Sequence, residues 1–580
     1  MRQNDFDSSF KRNPFKWAKD AWYLARPYWT SEEKWMAIGL VVSVITLNLL
    51  TVYISVQVNK WYNGMYDSLQ QFDKVAFYKS IIKFCYLAFS SILFQIIAFY
   101  CQSSLDIRWR RWMTKEYLNN WLKDHAYYKT RFIKNFVDNP DQRISEDINS
   151  FISNTLGFTL GLISNVVSLC SFVVILWGLS GPLSFVWSGH HITIEGYMVW
   201  VALLYAIVGT YITFKIGRPL VRLNFMQENL EANFRYGLMR VREYGENIAF
   251  YKGESQERQA LMSRFTNVVN NYMAIIYRQM KLTIFGSAYG QTANIFPLVV
   301  AAPRYFAKAI KLGDVIQISN AFGHVQGSLS FFINSYGDLA SWRAVMDRLY
   351  GFKLATNQAQ SLPGLKKRQS TTQDYLRVQN LAISLPDVVQ PILRNINFSL
   401  ASGQRLLIKG ASGSGKTTLL RSLVGVWPFA SGEVFQDTSR RELFVAQRTY
   451  LPDVSLRAAI CYPLQDNLPD DAKLESILHA CGIGALAIYL NEEAEWGKIL
   501  SLGEQQRIAF ARVLVNQPDI IYLDEATSAV DEEMEAQLYQ LLIERLPHSV
   551  ILSVGHRSTL TKWHNQELNF KHNREFNGSI

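Results

Sequence analysis

Three observations predict an α-helical membrane domain of six transmembrane helices followed by an α/β P-loop domain. The 580-residue chain holds six long stretches without Asp, Glu, Lys or Arg, all before residue 340. Each is long enough for a hydrocarbon core of about 30 Å, which takes roughly 20 helical residues. A glycine-rich segment, Gly410 to Thr418, lies between the apolar run Arg405–Ile408 and a helical pattern opening at Leu419. A second apolar run, Ile520 to Leu523, ends in two carboxylates, Asp524 and Glu525.

Residues 1–34 read as an interfacial segment. Trp17, Trp22, Tyr23, Tyr28 and Trp29 alternate with Lys16, Lys19 and Arg26, a mixture suited to the headgroup layer. No compact apolar core followed by small residues marks a cleavable signal there. The membrane domain, 35–353, has its spans at about 35–59, 84–105, 151–179, 196–214, 282–303 and 315–337. Ser180 to Glu195 reads as a short external loop. It holds no Lys or Arg, whereas Asp106–Asn149 and Lys215–Lys281 are rich in both, which places those two segments and both termini in the cytoplasm. Both segments are too long for turns and rich in helix formers, so the helices are expected to run on below the membrane. The net charge of +11 is largely absorbed by this topology, and a nucleic-acid partner is not called for. Cys85, Cys101, Cys170, Cys461 and Cys481 show neither a disulfide framework nor metal spacing and read as buried reduced thiols. Residues 354–374, polar and carrying Pro363-Gly364, read as the linker to a nucleotide-binding domain at 375–580.

In that domain Gly410, Ala411, Ser412, Gly413, Ser414, Gly415, Lys416, Thr417 and Thr418 have the spacing of a phosphate loop. Glycines let backbone N–H groups turn onto phosphates, the following helix adds its positive end, Lys416 neutralises the β and γ groups, and the Thr417 hydroxyl suits Mg²⁺. ATP or GTP is the implied ligand. Asp524 is expected to order the Mg²⁺ shell, and Glu525 to act as general base on the attacking water. Because neighbours on a strand face opposite ways, that division requires the strand to end there. Ser501 and Glu504 have capping-box spacing at the head of a helix, a second anion-binding end.

Leu500 to Gln505 resembles the LSGGQ signature of the ABC transporters, lying between the phosphate loop and the Asp-Glu strand as in that family. Gln447 resembles the family's glutamine facing the membrane domain, Ser528-Ala529-Val530-Asp531 its D-loop, and His556 its switch histidine. Asn139 to Ile144, Glu231 to Glu254 and Gly425 to Pro428 are similar to the branch of peroxisomal fatty-acyl transporters and bacterial SbmA/BacA-like permeases with a fused ATPase. The resemblance implies an exporter-type membrane fold with swapped helices, and half-transporters that pair as a homodimer in the bacterial cytoplasmic membrane. It also implies ATP sandwiched between one subunit's phosphate loop and the other's Ser501, Gly503, Gln505 and Asp531, with Glu525, His556 and Gln447 catalytic and Thr417, Gln447 and Asp524 around Mg²⁺.

Two departures stand out. Leu502 replaces a signature glycine, setting a side chain beside the incoming phosphate. Ile383 to Pro386 lacks the aromatic residue that stacks on adenine in many relatives, and Tyr375 is the nearest aromatic upstream.

For cargo, Gln317, Asn320 and His324 fall on one helical face inside the sixth span, joined by Gln291 and Asn294 of the fifth. Such a stripe fits either a cavity lining or interhelical hydrogen bonds. No acid or base lies deep in a span, so a bulky polar or amphiphilic solute (a peptide, a cobalamin-like compound or an acyl conjugate) fits better than an ion. Against ATP-driven transport stands an ATP-gated pore or regulator without pumped cargo.

Overall fold

The computed structural model describes residues 14–133, 139–187, 190–334, 336–365, 367–369, 374–386, 388, 390–437, 439–466 and 468–570. The chain divides into two compact units, 1–119 with 137–353 and 120–136 with 354–580.

The first unit is built of long helices. α1 (Pro14–Trp29) precedes α2 (Lys34–Gln70) and α3 (Lys74–Leu122). α1 buries Leu24, Ala25 and Tyr28, and the Tyr28 ring stacks on Trp109 of α3 at 5.4 Å, so its aromatic face is docked on the unit. α4 (Ala126–Lys129) belongs to the second unit. α5 (Ile148–Ser180) leads into a hairpin, β1 (Pro182–Trp187) with β2 (His190–Glu195), in the place expected to be a loop. There follow α6 (Tyr197–Glu243), the short α7 (Gly245–Tyr251), α8 (Glu254–Phe306), α9 (Leu312–Asn334) and α10 (Tyr336–Ser361).

All six apolar stretches are helical where described. Among the described residues, four helical segments can cross a membrane by length and composition: Lys34–Gln70, Lys74–Phe132, Pro140–Ser180 and Tyr197–Glu243. The 282–303 stretch lies in α8, which carries Pro297 and Pro303, and the 315–337 stretch runs through α9 into the first residues of α10. The helices of stretches two, four and five continue far past bilayer length, as the helix-forming composition of 106–149 and 215–281 led us to expect. Phe172, Leu176, Met198, Ala202, Ala301, Ile318 and Phe322 form a core joining α5, α6, α8 and α9.

Two expectations are corrected. α10 runs unbroken through 354–361, so the first eight residues of the expected linker are helix; Ala355 and Thr356 are buried, and that packing outweighs the polar composition. Of the five cysteines, all free, Cys461 and Cys481 are buried in the second unit, Cys101 is half-buried, and Cys85 and Cys170 are exposed, so lying in an apolar stretch does not by itself turn a thiol inward.

The second unit contains a parallel sheet and a mainly antiparallel one, to which the short strand Lys367–Arg368 adds a parallel edge. β3 (Leu376–Ile383) pairs antiparallel with β4 (Leu393–Leu400). β5 (Arg405–Gly410) precedes α11 (Lys416–Val424), and β6 (Ala430–Gln436) lies along β3. β7 (Glu442–Val445) is followed by helices α12 (Leu456–Cys461), α13 (Asp471–Ala480) and α14 (Leu502–Asn516). Last come β8 (Ile520–Asp524), α15 (Glu532–Arg545), β9 (Val550–Val554) and β10 (Gln566–Phe570). The five-stranded sheet has the order β10-β5-β9-β8-β7 and is parallel throughout. Covered on both faces, β8 and β9 are buried at every residue, which is why they read as unbroken apolar runs.

Candidate active site

The carboxyl ends of adjacent parallel strands are where an α/β sheet collects its ligands. Here four neighbouring strands deliver the chemistry side by side. β5 leads into the phosphate loop, β9 into His556, β8 into Asp524-Glu525, and β7 into Gln447. Register fixes their level, with Ile408 opposite Val554, Val554 opposite Asp524, and Leu523 opposite Val445.

In the phosphate loop Gly410, Gly413 and Gly415 have φ of 155°, 75° and 93°, a region side chains rarely adopt. A Cβ on Gly410 would also lie 2.9 Å from Ser414 Oγ and 3.0 Å from the Phe570 carbonyl oxygen. Lys416 is 5% exposed, and its Nζ donates to the carbonyls of Gly410 and Ala411 at 2.8 and 2.9 Å. Burial lowers its pKa below the usual lysine range, which Glu525 and Asp524 oppose. Thr417 Oγ1 donates to Asp524 Oδ1 at 2.9 Å. Asp524 is 6% exposed, and burial raises its carboxyl above the usual range against the pull of Thr417, Arg421 and Lys416.

Glu525 ends the strand with φ 50°, a left-handed conformation uncommon for a residue with a Cβ. The turn is held by its N–H on the Val554 carbonyl (3.0 Å) and by Ser528 N–H on its own carbonyl (3.1 Å). This break separates two carboxylates that regular alternation would send to opposite faces. Glu525 Oε2 accepts from Gln447 Nε2 at 2.9 Å, and His556 Nε2 lies 3.4 Å from Oε1. All three expected catalytic side chains thus meet. The Thr417 hydroxyl, the Asp524 carboxylate and the Gln447 amide oxygen are hard donors, a set that suits Mg²⁺.

Around the signature, Ser501 caps α14 as expected. Its Oγ accepts from Glu504 N–H, and Glu504 Oε2 accepts from the Ser501 N–H at 2.9 Å and hydroxyl at 2.7 Å. Those bonds hold the Glu504 carboxyl below its ordinary range. Gly503 is a close-approach position, since a Cβ would come 3.1 Å from the Ala529 carbonyl oxygen. Leu502 is 58% exposed. Gln505 is turned inward, its Nε2 donating to the carbonyls of Gly497 and Leu500, so it shapes the loop ahead of the helix and does not face outward as expected. Asp531 caps α15, accepting from Met534 N–H at 2.7 Å. Tyr375 lies under the Arg440 guanidinium, 3.2 Å from its ring centroid, a cation–π contact that already covers one face of that ring.

Two residues escaped sequence reasoning. Gln506, 3% exposed, donates to the Gln447 carbonyl (3.3 Å) and Ser528 Oγ (3.1 Å) and accepts from Ala529 N–H (2.9 Å), tying α14 to the loops after β7 and β8. Glu535, 1% exposed, accepts from Thr527 (2.7 Å), Thr559 (2.6 Å) and Arg557 (3.4 Å), joining the loop after Glu525 to the one after His556. A glutamine pair and an acidic first helical turn were visible, but neither says which member turns inward.

Within the same unit, Phe132, just beyond α4, meets Trp427 and Phe429 edge-on at 5.1 and 5.4 Å.

In the membrane unit the polar stripe splits. Gln317 is an interhelical tie: its backbone oxygen accepts from Asn59 Nδ2 (3.2 Å) and its Oε1 from Asn63 Nδ2 (3.0 Å), both on α2. Asn320 and His324 do line a cavity, about 420 Å³, between α2, α3 and α9. Gln291 and Asn294 lie exposed on α8 and do not border it, because α8 packs against α6 and α9 while the cavity is walled by α2, α3 and α9.

Residues 24–306 match the family described as ABC transporter transmembrane region 2, and residues 393–528 match the ABC transporter family. An uncharacterised ABC transporter ATP-binding protein of Haemophilus influenzae is 39% identical over 95% of this chain and 92% of its own length. The inner membrane ABC transporter ATP-binding protein YddA of Escherichia coli is 35% identical over 92% and 94%. The human lysosomal cobalamin transporter ABCD4 is 26% identical over 93% and 92%. Among solved structures, a bacterial Atm1-family ABC exporter with ATP bound superposes with a TM-score of 0.69 at 19% identity, covering 92% of this chain and 93% of that one, a likeness of fold.

Proposed function

Because the chain belongs to the ABC transporters with a membrane domain fused to an ATP-binding domain, we propose that it is an ATP-hydrolysing half-transporter. It works as a homodimer in the bacterial inner membrane and moves a bulky polar or amphiphilic solute. The observation that carries the reading is the meeting of Glu525, Gln447 and His556 beside the phosphate loop.

The loop amides and Lys416 hold the phosphates. Thr417, Asp524 and Gln447 would hold Mg²⁺, which would supply charge neutralisation to the phosphates. Glu525 takes a proton from the water that attacks the γ-phosphorus; a new P–O bond forms and the bond to the β-phosphate oxygen breaks, releasing ADP and phosphate. His556 steadies the Glu525 carboxylate and the departing phosphoryl group. The partner's Ser501 and Gly503 close over the nucleotide, and reopening after hydrolysis is passed on through Phe132 and the aromatic patch beneath it. The cargo class is supported by the uncharged cavity and by relatives such as the cobalamin transporter.

Glu525→Gln in lipid nanodiscs is the test. A general base contributes about 10²–10⁴-fold, so turnover should fall at least 100-fold while ATP still binds. In inverted vesicles the same variant should stop ATP-driven cargo movement, whose sign gives the direction. A variant that hydrolyses ATP within a few-fold of the parent overturns the assignment; one that conducts cargo steadily in its ATP-bound state points to a gated pore.

A further inference from the structure

The last turns of α2 meet the first turns of α9 through polar groups. Asn63 Nδ2 donates to Asp314 Oδ1 (2.6 Å) and Gln317 Oε1 (3.0 Å). Farther along α2, Asp67 Oδ2 accepts from Lys311 Nζ, just ahead of α9, and Gln70 Oε1 from the Leu312 N–H, both at 3.4 Å. Partners rise along α2 as they fall along α9, so the two helices run antiparallel. Gly313 is buried in the middle of these ties, and a Cβ there would lie 2.4 Å from the Asn63 carbonyl oxygen, so the two backbones touch.

These ties stand at one end of the cavity between α2, α3 and α9. Its lining takes Ser55, Val58 and Tyr62 from α2 and Asn320 and His324 from α9, all on the same side of the Asn63–Gln317 contact. Under the topology expected from the Lys and Arg distribution, the tied ends of both helices point outward, which sets the ties between the cavity and the outer face. On its other side α9 is held differently. It shares with α5, α6 and α8 the apolar core around Phe172, Met198, Ala301 and Phe322, to which α2 gives no buried side chain among the described residues. Arg304 of α8 adds to that block by donating to the carbonyls of Leu179 (3.1 Å) and Ser180 at the end of α5. Parting the core would expose apolar surface to water. Parting α2 from α9 at the tied end mainly exchanges protein hydrogen bonds for bonds to water, which is close to neutral, and water already reaches Lys311, whose side chain is 62% exposed.

We propose that this polar seam is the outer gate of the membrane domain, closed in this structure by Asn63, Asp67, Lys311, Asp314 and Gln317. It opens onto the cavity when α2 leaves the block of α5, α6, α8 and α9. The proposal rests on the transport reading and on the topology that goes with it.

The test places a cysteine in the cavity wall, Ser55→Cys, in the full chain with Cys85, Cys101 and Cys170 replaced by alanine; Cys461 and Cys481 are buried. A charged, membrane-impermeant methanethiosulfonate is applied to the outer face of right-side-out vesicles resealed with or without Mg-ATP. Folding of each variant is checked by binding of a fluorescent ATP analogue in nanodiscs. Without ATP, labelling should be slow. Asn63→Asp, which sets a carboxylate against Asp314, should speed it roughly tenfold or more, because like charges at hydrogen-bond distance repel strongly at a half-buried site. Gly313→Val, a wedge without charge, should act in the same direction. Asn63→Asp combined with Asp314→Asn reverses the amide–carboxylate pair and should restore slow labelling. With ATP inside, the Glu525→Gln chain should label at the faster rate. An ATP-free rate unchanged by Asn63→Asp and Gly313→Val, or left fast by the reversed pair, would overturn the gate. If those variants behave as described but ATP never speeds labelling, the gate stands and the ATP-driven pump falls. If ATP speeds labelling while the variants change nothing, the pump stands and the seam is not its gate.

Discussion

Glu535→Ala should disable hydrolysis from a position that touches no nucleotide. The carboxylate is 1% exposed and receives three hydrogen bonds, from Thr527, Thr559 and Arg557. Thr527 stands two residues after Glu525, and Arg557 follows His556, so one buried group sets the spacing of both catalytic loops. Breaking a buried ion pair from one side costs about 3–5 kcal/mol, because the remaining partners are left desolvated. For a domain of roughly 200 residues that corresponds to a fall of about 6–20 °C in Tm. Below the new Tm the loops remain but lose their common anchor. The kcat should then drop at least tenfold with the KM for ATP changed less than threefold, since Lys416 and the phosphate loop are untouched. Differential scanning calorimetry and steady-state ATPase assays on the nanodisc-held protein measure both quantities. Unchanged melting together with unchanged kcat would refute the argument that Glu535 positions the site.

Other expectations follow from single contacts. Asp524→Asn should raise the nucleotide-free Tm near pH 7, because burial disfavours the ionised carboxylate there. The folded-state pKa is raised, so the penalty on the parent grows as pH rises through it; melting curves between about pH 4 and 8 should show the gap closing toward the acid end, with Mg²⁺-dependent hydrolysis lost throughout. Leu502→Gly should remove a 58% exposed side chain from the signature and raise ATP turnover, at a stability cost of up to about 1 kcal/mol for glycine in a helix; unchanged or lower kcat would count against steric interference. Phe132→Ala removes two aromatic contacts worth about 0.5–1.5 kcal/mol each, and should leave basal hydrolysis within a factor of two while cargo stimulation is lost in nanodisc ATPase assays.

The sequence by itself determined what depends on neighbours along the chain. Apolar runs of bilayer length became helices because in lipid every backbone group must bond within its own segment. The phosphate loop was legible because glycines at fixed spacing permit φ values that other residues resist, and the Ser501 cap because its partner, Glu504, is three residues away. What tertiary structure decided lies between residues far apart in the chain. Gln505 and Gln506 are adjacent and chemically identical, yet one braces its own loop while the other ties α14 to the loops after β7 and β8, a choice made by which face of α14 is buried. Gln317 and Asn320 are one helical turn apart, and only contact with Asn59 and Asn63, more than 250 positions upstream, makes the first a tie and leaves the second on a cavity. Local periodicity specifies elements; the pairing of polar atoms across them is settled only when burial removes water as an alternative partner.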